Sequence, residues 1–246
     1  MMNLQDWQTD ALFDLSEVSF GALLSDYRYP WEILPDLPDL ILKAAEGLDP
    51  AVYEKAGDQI WLARSVKGAE DAHIEGPCII GEDCILRPGV YIRGALLTGR
   101  RCVLGHACEF KNALLLNEAE IPHFNYIGDS ILGNRSHFGA GAAASNFRQD
   151  KAPVKIHLSE TEYLDSGLPK MGAVVADDCE VGCNAVLNPG SLLGKRARVY
   201  PLSQSRIAVP ADTILKPDQS MQPLADDTPA ADVRTNPLRN PADKDA

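Results

Sequence analysis

The sequence has no Cys-x-x-Cys pair and no two histidines separated by four residues, so zinc ribbons and thioredoxin-like redox centres lack a framework. No run approaches the eighteen or so apolar residues that a bilayer span needs, and no basic stretch followed by an apolar core opens the chain. Neither membrane insertion nor export is expected. Positive charge is also scarce: 23 Lys and Arg face 35 Asp and Glu, a net charge of −12. A broad nucleic-acid or anionic-membrane surface would need clustered cations, so an anionic ligand requires a local basic pocket instead. Together with thiols expected to be reduced, these features point to the cytoplasm.

What is present is a period of six. Ile74, Ile80, Leu86, Ile92, Thr98, Leu104, Phe110 and Leu116 recur at every sixth place, which fits neither a helix face nor simple strand alternation. Hexapeptide self-similarity is the mark of a parallel β-helix, in which short strands wind round one core. A second column holds Cys78, Cys84, Val90, Leu96, Cys102, Cys108 and Leu114. With three hexads to a coil, Cys84 and Cys102 stack on neighbouring rungs about 4.8 Å apart, as small buried hydrophobes.

The spacing predicts an all-β architecture in these parts. Residues 1–70 form a mixed N-terminal cap, with Trp31 and Trp61 covering the open end of the coil. Residues 71–215 form the β-helix, interrupted by an inserted loop over 147–172 and resuming at Val175, Val181, Leu187, Leu193 and Val199. Residues 216–246, rich in Pro, Asp and Ala, form a flexible, disordered tail. The period does not set the hand of the coil.

Between Arg87 and Phe147 the chain carries Leu86-Arg87-Pro88-Gly89, Glu109-Phe110-Lys111-Asn112, His123-Phe124-Asn125-Tyr126-Ile127-Gly128-Asp129-Ser130, Phe138-Gly139-Ala140-Gly141 and Ser145-Asn146-Phe147. These strings resemble, in order and spacing, the C-terminal acetyltransferase domain of bifunctional N-acetylglucosamine-1-phosphate uridylyltransferase. The stretch with Met171-Gly172-Ala173 and Val181-Gly182-Cys183-Asn184 resembles the β-helix tails of sugar-1-phosphate nucleotidylyltransferases. The resemblance covers about residues 74–210. It implies a left-handed coil, acetyl-CoA as donor, no metal, a homotrimer, and a step of UDP-N-acetylglucosamine biosynthesis. Residues 1–70 carry no Gly-rich phosphate loop of that family's uridylyltransferase half, so nucleotidyl transfer is not expected.

The chemistry requires a base for the amine proton, and a neutral imidazole suits that near pH 7. The resemblance gives that role to His123, with backbone N–H groups for the oxyanion. Arg87 and Lys111 match phosphate- and sugar-binding positions, although they stand 24 residues apart, on different faces of a three-hexad coil. Tyr126, Asn146 and Lys155 complete the implied acceptor site. The acceptor implied is the amine of an amino-sugar phosphate, glucosamine-1-phosphate-like, or of a nucleotide-sugar; His137 stands where the family has asparagine, Phe147 replaces a tyrosine, and Ala142-Ala143-Ala144 replaces a Thr-rich stretch, so glucosamine-1-phosphate itself is the less expected of these. For the coenzyme, Cys183, Ala185, Lys195 and Arg196 are the candidates. The inserted loop is expected to lie over the active cleft. One alternative is a non-catalytic sugar-nucleotide-binding or oligomerising module that partners a nucleotidylyltransferase. A γ-carbonic-anhydrase-type zinc hydratase finds no histidine pattern among the five histidines.

Overall fold

The computed structural model describes residues 3–225; the tail expected over 226–246 lies outside the described residues. The core is a three-faced parallel β-helix. The first face stacks Ile60–Ala63, Cys78–Ile80, Leu96–Thr98, 113–115, 130–132, Ala173–Val175 and Ser191–Leu193. The second stacks Ile85–Leu86, Val103–His106, Glu120–His123, His137–Phe138, Glu180–Val181, Arg198–Val199 and Thr213–Leu215. The third stacks His73–Glu75, Tyr91–Arg93, 109–111, 126–128, Ala143–Ala144, Val186–Leu187 and Gln204–Ser205. Among the described residues no helix is long and apolar enough to cross a membrane.

The column residues fill the interior as the period requires: Ile80, Leu86, Ile92, Leu104 and Phe110 are buried. The six cysteines are free, and five of them are buried. The Cys102 amide donates to the Cys84 sulfur at 3.3 Å, so these two do stack on neighbouring rungs. One register expectation is corrected. Thr98 pairs with Leu115, not Leu116, because this coil and the next each have seventeen residues. The break in the six-residue period after Leu116 is therefore a shortened coil and not a loop, and Glu120–His123 stays in the wall as a strand.

Only the last part of the N-terminal region, from Tyr53, finishes an end of the coil; residues before it lie along a face, which is a second correction. Every strand of the first face carries an apolar residue at its centre, and alternation turns Ile79, Leu97, Leu114, Ile131, Val174 and Leu192 outward. All six are nonetheless buried, in one cluster with Trp7, Leu12, Phe13, Trp31, Ile33, Leu37 and Ile41. The N-terminal segment runs along this face and covers it. Helix Leu37–Ala45 begins at a proline in its first turn and places Leu37, Leu40, Ile41 and Ala44 on one stripe. Polar ties run down the adjacent corner: Asp177 accepts from the Asp14 amide at 2.7 Å, Asn134 Nδ2 donates to the Asp14 carbonyl at 2.9 Å, and Asn117 Nδ2 donates to the Glu17 carbonyl at 3.0 Å.

Antiparallel hairpins finish the two ends of the coil. Tyr53–Gly57 folds on Ile60–Ala63, whose Trp61 is half-buried, and Met221–Pro223 folds on Thr213–Leu215. Such pairing shields an edge strand from end-to-end association. The β-helix thus starts at Ile60, ahead of 71, and residues 216–225 are ordered, not tail. The insertion contains a hairpin of its own, Lys155–His157 with Tyr163–Asp165.

Candidate active site

At the corner between the second and third faces each rung turns through a left-handed residue: Gly89, Ala107, Phe124, Gly141, Asn184 and Leu202 have φ between 51° and 77°. His106 and His123 precede two of these turns and pair on adjacent rungs. Asn125, buried, bolts the turn. Its Oδ1 accepts from the His123 amide at 3.0 Å, and its Nδ2 donates to the Gly139 and Ala142 carbonyls at 2.8 and 3.0 Å. The backbone is thereby fixed while the His123 side chain remains exposed.

Arg87 Nη1 stands 3.5 Å from His123 Nε2 and 3.5 Å from the Pro122 carbonyl. His106 Nδ1 lies 2.6 Å from the Pro88 carbonyl, a contact in which Nδ1 donates. Partial burial, then the positive charge of Arg87 and the imidazoles of His106 and His137, lower the His123 pKa from its ordinary 6.5. A cation beside an imidazole opposes its protonation. His123 is therefore held neutral near pH 7, with its side chain exposed and Arg87 beside Nε2.

A second cluster sits one corner on, across the third face. The buried Asp129 carboxylate takes both of its contacts to Lys111 Nζ at 3.0 Å, accepts from Asn112 Nδ2 at 2.9 Å, and accepts from Asn146 Nδ2. The Tyr126 hydroxyl lies beside Asn146: a Cβ at Gly128 would meet that hydroxyl at 2.6 Å and Asn146 Nδ2 at 2.7 Å, so glycine leaves room for both. Lys111 is thus an ion-paired cation, not a free one. Arg93 lies directly beneath it, one coil back, and pairs with Glu109 at 3.1 Å. Neither Arg93 nor Asp129 was among the expected site residues; stepping eighteen residues back from Lys111 finds the first. Asp129→Ala would strand Lys111 and both amides, and removing one partner of a buried pair costs about 3–5 kcal/mol. Thermal unfolding should show a lowered midpoint, with Asp129→Asn intermediate.

Arg87 and Lys111 do not converge. Arg87 joins His123; Lys111 joins Tyr126 and Asn146, and no hydrogen bond or ion pair links the two groups among the described residues. His137 is a half-buried rung histidine whose Nδ1 lies 3.2 Å from Glu180 Oε2. Cys183 is exposed two rungs beyond His123 on the same corner. Ala185 is fully buried, with its carbonyl and amide both used in the wall, so its side chain meets no ligand. Arg196 pairs with Asp212 on the corner between the first and second faces, and Lys195 adjoins it there, away from Cys183. The residues expected to hold the donor are therefore not brought together.

The insertion covers a cleft, and His123 is not among the residues that line it. This cleft, about 710 Å³, lies between the inserted hairpin and the third face and is lined by Phe147, Arg148, Lys155, Asn188, Gln204 and Arg206 among others. Lys155 Nζ rests 4.0 Å from the centre of the Tyr163 ring. Among the described residues no group of three or more His, Cys, Asp or Glu is placed to hold a metal ion.

No family model matches the chain. It is 33% identical over 169 residues to a bifunctional sugar-1-phosphate nucleotidylyltransferase/acetyltransferase of Sulfurisphaera tokodaii, covering 61% of this chain and 42% of that one. It is 29% identical over 199 residues to the bifunctional protein GlmU of Methanococcus vannielii, covering 77% and 47%. The chain spans less than half the length of these two relatives. Among solved structures, the acetyltransferase domain of PglB from Neisseria gonorrhoeae aligns at 11% identity and a TM-score of 0.36, over 74% of this chain and 61% of that one, an overlap from which nothing about chemistry follows. The resemblance read from residues 86–147 is to the same kind of protein as the first two relatives.

Proposed function

We propose that this chain, whose relatives are bifunctional nucleotidylyltransferase/acetyltransferases, moves an acetyl group from acetyl-CoA to the amine of a phosphate-bearing amino sugar. The observation that carries this reading is His123: exposed on a bolted corner, kept neutral by partial burial and Arg87, and three residues from Tyr126. In the step, the amine nitrogen attacks the thioester carbonyl carbon. His123 Nε2 takes the amine proton, the C–S bond breaks, and the thiolate leaves. Tyr126, Asn146 and the Arg93–Lys111 column hold the acceptor's sugar and phosphate. The donor lies along the corner that carries Cys183. Phe124 and Leu202, 61% and 74% exposed at turn positions of that corner, are where a second copy would pack in a homotrimer.

The test is thiol release from acetyl-CoA with a panel of amino-sugar phosphates. Acceptor-dependent release is expected; none with any acceptor would overturn the reading. The pH dependence carries a further expectation. Only the unprotonated imidazole is active, so a lowered pKa keeps kcat/KM high as pH falls below 6.5. Arg87→Ala removes one of the charges opposing protonation and should move the acidic limb upward, toward that ordinary value. Burial, the larger cause, stays, so the shift is partial.

A further inference from the structure

The cleft under the inserted hairpin has no part in the step above. It opens beside Asn146, since Ser145 and Phe147, the residues on either side of it, both line the cleft. Ser145, Asn188 and Arg206 continue rung by rung the column that begins with Arg93, Lys111 and Gly128. One column of rungs thus connects the acceptor cluster to the cleft, each step about 4.8 Å, passing the buried Gly128 and the partly exposed Ser145 and Asn188 before the exposed Arg206.

Its chemistry is unlike the rest of the protein. In a chain of net charge −12, three cations, Arg148, Lys155 and Arg206, meet only two carboxylates here, Asp150 and Glu160. Asp150 is engaged by Arg148, and Lys155 sits over a neutral ring. Arg206 is exposed and forms no ion pair among the described residues. This is the local basic pocket that an anionic ligand needs in an acidic protein. Phe147, 45% exposed on the wall with Lys170 Nζ 5.6 Å from its ring centre, offers an aromatic surface with a further cation beside it, and Asn188 and Gln204 offer amides that donate and accept. A volume of about 710 Å³ is within the range of small-molecule sites and leaves most of the space empty for a monosaccharide phosphate alone.

We infer that this cleft holds the nucleoside diphosphate of a nucleotide-linked amino sugar, with the diphosphate on Arg206 and Lys155 and the base against Phe147. The inference rests on the acetyl-transfer reading for the identity of the acceptor, and not for the existence of the site. Fork-shaped guanidinium pairs well with phosphate oxygens, and stacking on an aromatic ring tolerates any base.

The experiment is calorimetric titration of the full chain, without acetyl-CoA, with UDP, GDP, dTDP and, separately, 3′-phosphoadenosine 5′-diphosphate as the nucleotide of the donor. At least one of the first three should bind, and Arg206→Ala should weaken it about tenfold, the loss of one charge-assisted contact. Lys155→Ala should weaken it as well, and His123→Ala should bind like the wild type. If none of the three binds while an amino-sugar 1-phosphate is acetylated, the site assignment falls and the acetyl-transfer reading survives. Displacement by the adenosine bisphosphate would give the cleft to the donor and overturn the inference. Diphosphate binding that Arg206→Ala weakens, with no acetylation of any acceptor, would uphold the site and reject the acetyl-transfer reading.

Discussion

Deleting residues 1–48 is expected to leave the β-helix insoluble. The outward column of the first face, Ile79, Leu97, Leu114, Ile131, Val174 and Leu192, is covered by that segment, and its removal bares a continuous apolar strip along the coil. Strips of that kind drive association, and these strands run in parallel with no charge to interrupt them. The measurement is the soluble fraction on expression, with binding of a hydrophobic dye to whatever stays in solution. A milder variant gives the same information in equilibrium form. Trp31 is buried and stacks on Tyr29 at 4.8 Å, and Trp31→Ala should cost about 3–5 kcal/mol, a large share of the roughly 5–15 kcal/mol that holds a domain together. A soluble, dye-negative truncation would show that the first face does not need its cover.

His123→Ala is expected to lower kcat/KM by about 10²- to 10⁴-fold, the range for losing a positioned general base. The fold should not change. His123 is exposed at its side chain, and the corner is held by the Asn125 amide, which bonds the backbone of His123 and not its ring. Near-wild-type thermal stability in the inactive variant separates loss of chemistry from loss of structure. A His123→Asn variant, which keeps a polar group but no basic lone pair near pH 7, should be equally impaired. Cys183→Ala, by contrast, removes an exposed side chain two rungs away and should leave the rate within a few-fold of the wild type.

The coil was legible in the sequence because a six-residue period has no other economical solution, and the buried cysteines fell in its columns. The cover on the first face was hidden for a physical reason. Cys78-Ile79-Ile80 and Ala113-Leu114-Leu115-Leu116 read as core, and only the alternation of a strand shows that every second residue must point out of the coil. An apolar residue at the outward centre of the same strand in coil after coil, as at Ile79, Leu97, Leu114, Ile131, Val174 and Leu192, is the signal that something packs there. The run Leu114-Leu115-Leu116 explains the one-residue error at Leu116, since both Leu115 and Leu116 are buried and polarity does not choose between them. The site was legible in part. His123 came from its motif, and the structure adds why it is neutral. Arg93 escaped because Arg87 sat in the better-matching string, although only Arg93 shares a column with Lys111. Asp129 escaped because its role depends on Lys111 and Asn112 from the rung before it and Asn146 from the rung after it meeting on one carboxylate.

The most direct measurement follows the proton on His123 itself. NMR titration of its imidazole should give a pKa below 6.5, and the acidic limb of kcat/KM for acetyl transfer should fall at the same pH and move with it in Arg87→Ala. Turnover that persists unchanged while His123 becomes protonated would contradict the account.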